Sequence, residues 1–504
     1  MKRLIIPCIL FAIIGFNLTV YGQNQRGKFE VGNKTFLLNG EPFVVKAAEL
    51  HYPRIPKEYW DHRIKMCKSL GMNTICLYIF WNIHEQKEGS FDFSGQNDIA
   101  AFCKLAQDNG MWVIIRPGPY VCAEWEMGGL PWWLLKKKDI ALRSLDPYFI
   151  DKTRIYMNRV GKELRDLQIS NGGNIIMVQV ENEFGAYGTD KEYIRTIKDI
   201  VIKSGFDSVP LFQCDWTSNF ENNALDELLW TINFGSGADV DQQFKRLQEL
   251  RPTSPLMCSE YWSGWFDHWG RKHETRTTES LLGSLKDMMK RNISFSLYMA
   301  HGGTTFGHWG GANSPVYSAM CSSYDYDAPI NESGKVTPKY FALRKLLADY
   351  PDKGAILPPI PDSIRTISIP EFSLDQVSLL FENLPPAMRH ADIIGLEDLD
   401  QGWGSVLYRT EMKRSPVKQL LLITEMHDWA QIYINGMQIG TLDRRKGENS
   451  LLLPPVKDGD ILDIFVEAMG RVNFNKNIHD RKGITQKVEL INGKVTTELK
   501  NWDI

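Results

Sequence analysis

The stretch Ile175–Gly188, which reads IIMVQVENEFGAYG, determines how the rest of the chain is interpreted. An apolar run leads into Glu181-Asn182-Glu183, two carboxylates on either side of an amide, and the segment then reaches glycine. A buried strand with this ending places acidic side chains where the chain leaves the core. The stretch Pro255–Trp262 (PLMCSEYW) repeats the pattern, with Glu260 after another apolar run.

Strand-like and helix-like patterns alternate around these two stretches. The apolar runs number eight: Phe43–Ala48, Thr74–Phe80, Met111–Arg116, Asn174–Val180, Pro210–Cys214, Leu228–Phe234, Pro255–Ser259 and Ser294–Ala300. Most are separated by amphipathic stretches: Pro56–Leu70, Gln96–Asn109, Phe149–Leu167, Lys191–Lys203 and Thr278–Arg291. Apolar strands that alternate with helices indicate a parallel sheet covered on its outer face, and eight such units predict a (β/α)8 TIM barrel.

The two acidic stretches follow the fourth and seventh predicted strands. Catalytic residues of such barrels lie at the carboxyl ends of the strands, so Glu183 and Glu260 are expected to face one site. Two carboxylates at one sugar are what glycoside hydrolysis requires, one as an acid and one at the anomeric carbon. Tryptophans cluster after several predicted strands, and their rings suit stacking against a sugar.

The chain changes character after the barrel. Residues 353–362 contain three prolines within KGAILPPIP and are predicted to form a linker. Residues 363–504 have short strand-like runs and the turn Ile434-Asn435-Gly436-Met437, which carries a hairpin signal. We therefore predict a barrel domain over residues 23–352 and an all-β jelly-roll sandwich over residues 363–504.

The first 22 residues have the basic start, apolar stretch and small-residue cleavage site of a signal peptide. They predict a secreted or periplasmic protein that has no membrane segment once they are removed. Composition is ordinary, with 43% hydrophobic residues and a net charge of −3, so nothing favours a nucleic-acid partner. Seven cysteines follow the signal without a C-x-x-C motif, and no nucleotide motif occurs. We expect buried free thiols, no metal and no cofactor.

The two acidic stretches, QVENEFGAYG and SEYWSGWFDHWG, resemble the active-site segments of glycoside hydrolase family 35, the β-galactosidases that include the lysosomal enzyme. Other matching segments occur in the same order along the barrel. They are His51–Glu85, Arg116–Leu135, Ser296–Pro315 and Ser322–Gly334. The resemblance implies a retaining exo-β-galactosidase that acts on a carbohydrate through a covalent galactosyl-enzyme intermediate.

Roles for individual residues follow from the resemblance. It implies Glu183 as the acid/base, Glu260 as the nucleophile and Asn182 as a ligand of the sugar 2-hydroxyl. The positions that match the galactose pocket are Tyr78, Cys122, Ala123, Glu124, Tyr298 and Tyr326. We also expect the Tyr298 hydroxyl to donate a hydrogen bond to the nucleophile.

Some positions depart from the family pattern, and some alternatives stay open. Trp262 replaces the tyrosine that lysosomal relatives have two residues after the nucleophile, so a hydroxyl contact is lost. A partner cysteine for Cys122 is missing. Another β-glycosidase activity, such as an exo-β-glucosaminidase, would need only a different pocket, and a non-catalytic sugar-binding protein is the alternative from another class. The sandwich could bind sugar or brace the barrel. Linkage preference and oligomeric state are left open.

Overall fold

The computed structural model describes residues 26–352 and 355–504. The predicted signal peptide, residues 1–22, lies outside the described residues, as do the first two residues of the predicted linker. Across these two ranges no helix has the length and apolar character needed to cross a bilayer. Six of the seven cysteine thiols in the described ranges are buried and Cys321 is partly exposed, and all seven are free.

Eight parallel strands close into a barrel in sequence order, as predicted. Its strands are β4 (Lys46–Leu50), β5 (Thr74–Tyr78), β6 (Trp112–Arg116), β7 (Ile175–Gln179), β8 (Leu211–Trp216), β9 (Leu229–Gly235), β10 (Met257–Trp262) and β11 (Ser294–His301). The helices are α1 (Trp60–Leu70), α2 (Trp81–His84), α3 (Ile99–Asp108), α4 (Pro147–Leu164), α5 (Lys191–Lys203), α6 (Val240–Leu250), α7 (Thr278–Lys290) and α8 (Pro338–Leu347). Nearly every strand residue is buried, which explains why the strands appear as continuous apolar runs.

Helix starts are set by local chemistry. Six helices begin after an aspartate or threonine whose side chain accepts a hydrogen bond from a backbone N–H of the first turn: Asp98, Asp146, Asp190, Asp239, Thr277 and Thr337. Each such cap contributes about 1 kcal/mol to the helix. The caps fix where the chain turns back along the barrel.

The prediction of the first barrel strand was wrong at its start. Phe43 belongs to β3 (Glu41–Phe43), which with β1 (Phe29–Val31) and β2 (Phe36–Leu38) forms a separate antiparallel sheet before the barrel. The ring of Phe43 meets that of Phe29 edge to face at 6.1 Å. The apolar run therefore continues from one sheet into another, and sequence pattern gives no sign of the boundary.

The helix pattern differs from the expectation between β8 and β10. The helix α6 was not predicted, because only three of its residues, Val240, Phe244 and Leu247, are buried and most of the others are polar. Between β8 and β9 the structure has only a short 3-10 helix, Phe220–Asn222. The remaining predicted helices are present within a few residues of their expected bounds.

The second domain consists of two antiparallel sheets. One sheet contains β14 (Arg389–His390), β15 (Ser405–Glu411), β17 (Trp429–Ile434), β18 (Met437–Asp443), β20 (Ile461–Glu467) and β23 (Trp502–Asp503). The other contains β16 (Gln419–His427), β19 (Ser450–Leu453), β21 (Gly483–Asn492) and β22 (Val495–Glu498). Asn435 and Gly436 have φ of 48° and 78° between β17 and β18, as the predicted hairpin turn requires. A pair of short strands, β12 (Ala312–Asn313) and β13 (Ser318–Ala319), extends from the barrel toward this domain.

The predicted sandwich domain starts at residue 363, and its first strand among the described residues begins at Arg389. Residues 363–388 contain only a 3-10 helix at Leu380–Glu382. Ile367, Phe372 and Leu374 are each at least 70% exposed. Alternating apolar residues give this segment the appearance of a strand, but it has no pairing partner among the described residues.

A buried cation joins the two domains. Arg471, from the sandwich domain, contacts Glu126 of the barrel at 2.6 Å and Glu397 of its own domain at 2.5 Å. All three side chains are at most 1% exposed. Arg471 also donates to the carbonyl of Gly402 at 2.8 Å. Two carboxylates in this interior are tolerable only because one guanidinium lies between them.

Replacing Arg471 with alanine is expected to destabilise the protein by about 3–5 kcal/mol, because buried Glu126 would lose the cation paired with it and Glu397 would be left with the more distant Arg481, at 3.7 Å. Lys136 provides a control, since it pairs across the same interface with Asp400 at 2.9 Å but is exposed. Lys136→Ala should cost less than about 1 kcal/mol. Urea unfolding followed by circular dichroism measures both losses, and equal losses would contradict the assignment.

Candidate active site

All nine residues predicted for the site line one cleft of about 410 Å³ at the carboxyl ends of the barrel strands: Tyr78, Cys122, Ala123, Glu124, Asn182, Glu183, Glu260, Tyr298 and Tyr326. Tyr78 ends β5, Tyr298 lies within β11, and Glu183 follows β7 in the turn before the 3-10 helix Phe184–Ala186. The cleft therefore brings together residues that are far apart in the sequence. Their individual roles stay predictions.

A break in strand register accompanies the placement of Glu260. The pairing of β10 with β9 shifts between Cys258 and Glu260, and the pairing with β11 shifts between Cys258 and Tyr261. Such an irregularity changes the direction of a side chain at a sheet end. Glu260 is 6% exposed and its carboxylate faces the cleft.

Three donors hold the Glu260 carboxylate. Arg116 contacts Oε1 at 2.5 Å, and the Tyr78 hydroxyl donates to the same oxygen at 2.7 Å. The indole N–H of Trp262 donates to Oε2 at 3.1 Å. A guanidinium and two further donors fix the orientation of this carboxylate in the cleft.

The expectation that Tyr298 donates to the nucleophile was wrong. Its hydroxyl forms a hydrogen bond of 3.1 Å with the hydroxyl of Tyr324, and Tyr78 occupies the donor position instead. The side chains of Tyr78 and Tyr298 both line the cleft, so the strand pattern does not indicate which hydroxyl contacts the Glu260 carboxylate. The contact expected to be lost at Trp262 is supplied by its indole N–H.

Glu183 lies in a different environment. Burial, together with the negative charges of Glu260 and Asp215, raises its pKa to about 8. Hydrogen bonds from Asn233 at 2.8 Å and from the Trp216 indole at 2.6 Å act in the opposite direction. At neutral pH this carboxyl therefore holds a proton. The two carboxyl groups therefore lie in different surroundings, Glu260 beside a guanidinium and Glu183 beside two carboxylates.

The pocket loop has an unusual backbone. Cys122, Ala123 and Glu124 have φ of 61°, 56° and 50°, three consecutive left-handed residues with side chains. Each costs about 1 kcal/mol or more and persists only where surrounding contacts fix it. Arg54 donates to the carbonyl of Ala123 at 2.6 Å, and the N–H of Gly311 donates to that of Glu124 at 3.0 Å. These contacts hold the loop against the cleft.

Glu124 and Asn182 present groups that suit sugar hydroxyls. The Glu124 carboxylate accepts a hydrogen bond from the Tyr324 hydroxyl, and burial raises the pKa of Glu124 to about 7. The side-chain oxygen of Asn182 accepts from the Gln179 amide at 2.9 Å and from Arg116 at 3.0 Å. Because its oxygen is already occupied, the amide N–H₂ is the group that Asn182 can offer to a ligand.

Several site residues were not identified from the sequence. Arg116 and Arg54 lie beneath the cleft, and Asp215, Trp216 and Asn233 surround Glu183. A signal existed for Arg116, an arginine at the end of an apolar strand, which a core tolerates only beside an anion. Asp215 and Trp216 end the fifth barrel strand in the same way that Glu260 and Trp262 end the seventh.

The sandwich domain also reaches the cleft. Phe474 and Asn475 are among its lining residues, and the Phe474 ring stacks on Trp216 at 6.1 Å with an angle of 16° between the rings. Aromatic rings of Trp262, Trp265 and Phe266 complete the outer wall. In the described ranges no group of three His, Cys, Asp or Glu residues could hold a metal ion.

Comparison with known proteins agrees with this geometry. Residues 35–350 match the model for "Glycosyl hydrolases family 35", and residues 394–504 match "Beta-galactosidase, first all-beta domain". The chain belongs to glycosyl hydrolase family 35. It is therefore a glycoside hydrolase, and the fold is the barrel and β domain of that family.

Relatives extend along nearly the whole chain. A β-galactosidase of Xanthomonas manihotis is 37% identical over 98% of this chain and 83% of its own length. The human β-galactosidase is 37% identical over 99% of this chain and 74% of its own length. A β-galactosidase-1-like protein 3 of the mouse is 36% identical over 94% of this chain and 73% of its own length.

The contact of Trp262 with the nucleophile can be tested directly. Trp262→Phe keeps an aromatic wall but removes the donor to Glu260 Oε2, and a hydrogen bond to a charged group contributes about 1.5–3 kcal/mol. The family 35 enzyme should then lose about tenfold or more in kcat on an aryl glycoside. Trp262→Tyr restores a donor and should lose less. Equal activity of the phenylalanine variant and wild type would contradict the role of the indole.

Proposed function

We propose that the chain is a retaining exo-β-galactosidase that removes terminal β-D-galactose from oligosaccharides or polysaccharides. One observation carries this proposal: two carboxyl groups share a cleft, Glu260 beside a buried guanidinium and Glu183 in surroundings that keep it protonated. Identity of about 37% to β-galactosidases of bacterial and human origin supports the choice of sugar.

The first half of the reaction follows from this arrangement. The Glu260 carboxylate attacks the anomeric carbon as the glycosidic C–O bond breaks, and Glu183 transfers its proton to the departing oxygen. Arg116 and Tyr78 hold the attacking carboxylate in place. Its negative charge is consumed when the galactosyl ester forms, so the charge that raises the pKa of Glu183 disappears in the same step.

The second half reverses the proton movement. Glu183 is now a carboxylate that removes a proton from water, and the water oxygen attacks the anomeric carbon as the bond to Glu260 breaks. The Trp216 and Asn233 donors stabilise the charged Glu183 during this stage. Two inversions at one carbon retain its configuration.

The walls of the cleft support an exo mode of action. Below the carboxylates the barrel is filled by buried side chains, including His51, Arg54 and Arg116. The left-handed loop with Glu124 and the tyrosines Tyr298 and Tyr324 bound the inner end. A sugar chain entering such a cleft presents a terminal residue to the catalytic groups.

Other β-glycosides are the competing substrates, because discrimination at the sugar 4-hydroxyl depends on loop contacts that a fold alone does not determine. The non-catalytic alternative has no support in the site, since both carboxylates are present and surrounded by suitable donors. The contacts of the sandwich domain support a bracing role. Trp502 is fully buried, and Trp403 packs against Trp132 and Trp309 of the barrel.

A panel of 4-nitrophenyl β-glycosides, assayed with the purified mature protein, tests sugar class and nucleophile together. We expect the highest kcat/KM on the β-galactoside, and Glu260→Gln should lower it by on the order of 10⁴-fold or more. Preference for another sugar would discard galactose and keep the mechanism. Activity that survives in the Glu260 variant would contradict the assignment of the nucleophile.

The pH profile tests the proton on Glu183. Because the acid acts in its protonated form, kcat/KM should fall as the pH rises through about 8, the pKa of Glu183. Glu183→Gln, assayed on 2,4-dinitrophenyl β-galactoside, whose leaving group needs no acid, should lack this basic limb. A profile that stays flat to pH 9.5, roughly one and a half units above the pKa of Glu183, would count against the assignment. A basic limb that persists in the Glu183→Gln variant would also count against it.

Export is a separate part of the proposal. The basic and apolar residues at the start of the chain support secretion or a periplasmic location. Fractionation of expressing bacterial cells, with N-terminal sequencing of the product, tests it. Cleavage near residue 22 and recovery outside the cytoplasm are the expected results, and uncleaved cytoplasmic protein would refute it.

A further inference from the structure

A row of hydrogen-bonded polar side chains runs through the barrel wall to the Glu183 carboxyl. The hydroxyls of Thr231 and Ser259 meet at 2.6 Å, and the Ser259 hydroxyl donates to the side-chain oxygen of Asn233 at 2.7 Å. The Asn233 amide then donates to Glu183 Oε1 at 2.8 Å. Thr231, Ser259 and Asn233 are all at most 2% exposed.

This row fixes the orientation of the amide. In this orientation the amide oxygen accepts from the Ser259 hydroxyl, and the amide N–H₂ faces Glu183. A flipped amide would place its oxygen against Glu183 Oε1, and the ionised carboxylate would lose this donor. The Thr231 hydroxyl also contacts the backbone oxygen of Gln213 at 3.1 Å, which anchors the far end on β8.

The pairing of β9 with β10 also connects the acid to the nucleophile. Asn233 lies on β9 directly opposite Glu260 of β10, at the point where the pairing of these two strands shifts. Ser259 is the residue before Glu260. The relative placement of the two catalytic carboxyl groups is therefore set by one short stretch of paired strands.

The two oxygens of Glu183 are not equivalent. Oε1 accepts from both Asn233 and Trp216, whereas Oε2 accepts no hydrogen bond from any described residue. With Oε1 occupied by two donors, a proton on the carboxyl belongs on Oε2.

We propose that Asn233, oriented by Ser259, is a positioning residue that holds Glu183 through Oε1 so that Oε2 delivers the proton to the glycosidic oxygen. The proposal rests on the proposed role of Glu183 as the acid/base. In the forward step the proton leaves Oε2 for the departing oxygen, and in the second step Oε2 takes a proton from water.

The charges around Glu183 give the sign of the expected pH effect. Glu260 on β10 and Asp215 on β8 raise the pKa of Glu183 by their negative charge, and Trp216 and Asn233 lower it by hydrogen bonding. The titratable groups Tyr120, Cys122, Cys214 and Tyr326 also face it, and each has its own pKa raised by burial, so they are neutral. Removing the Asn233 donor should therefore raise the pKa of Glu183.

The experiment compares two leaving groups in the full-length mature enzyme. For Asn233→Ala, kcat/KM on lactose, which needs the acid, should fall by about tenfold or more, and kcat/KM on 2,4-dinitrophenyl β-galactoside should stay within about threefold. The basic limb of the lactose profile should move up by about one pH unit, the loss of one charge-assisted hydrogen bond. For Ser259→Ala, the loss in kcat/KM on lactose and the upward shift of the basic limb should both be smaller.

Asn174→Ala is the matched control. Asn174 is also a buried barrel asparagine that donates to two carbonyls, but it lies at the opposite end of β7. Asn174→Ala should lower thermal stability. It should not change the ratio of kcat/KM on lactose to kcat/KM on 2,4-dinitrophenyl β-galactoside, or the pH of the basic limb.

Four results would overturn the inference or its basis. Equal losses on both substrates for Asn233→Ala would make its role merely structural, as would an unchanged basic limb. If Asn233→Ala does not fold, an unchanged limb and ratio in Ser259→Ala would overturn the proposal. Wild-type protein inactive on both galactosides would instead refute the proposed function, which separates the two failures.

Discussion

The buried guanidinium of Arg116 is the interaction on which the site depends. It lies at the end of β6, fully enclosed, with Glu260 at 2.5 Å, Gln179 at 2.5 Å and Glu49 at 3.6 Å. A cation at such a position is costly unless anions and hydrogen-bond acceptors surround it. Residues of β4, β7 and β10 supply these groups. The ends of three strands therefore converge on one buried charge beside the cleft.

The proposed acid, Glu183, has surroundings opposite to those of Glu260. Glu183 lies in the same cleft as Glu260 but forms no ion pair with any described residue, and two carboxylates, Glu260 and Asp215, are close enough to oppose its ionisation. One arginine placed beside one of two glutamates is therefore sufficient to make them chemically different. Asp215 is itself buried, and burial raises its pKa to about 6, so its effect on Glu183 depends on pH.

The fold could be predicted from the sequence because the barrel strands are buried along nearly their whole length and most of the long helices start at a capping residue. Those features are local and leave a direct pattern. The donors around the carboxylates could not be predicted in the same way. Whether Tyr78 or Tyr298 reaches Glu260 depends on how far each strand extends past its neighbour, and Asn233 faces Glu183 only because the β9–β10 register shifts. Such offsets arise from packing between distant segments.

The sandwich domain takes part in the site through one short segment. Arg471 neutralises Glu126, Asn473 contacts the Cys122 thiol at 3.6 Å, and Phe474 stacks on Trp216, the indole that donates to the acid. Asn473 therefore contacts the left-handed loop at Cys122, and Phe474 contacts the indole that donates to Glu183. The loop conformation is unfavourable by itself, so part of the free energy that maintains it comes from the second domain. An isolated barrel would keep both carboxylates and still lack the support that shapes the sugar pocket.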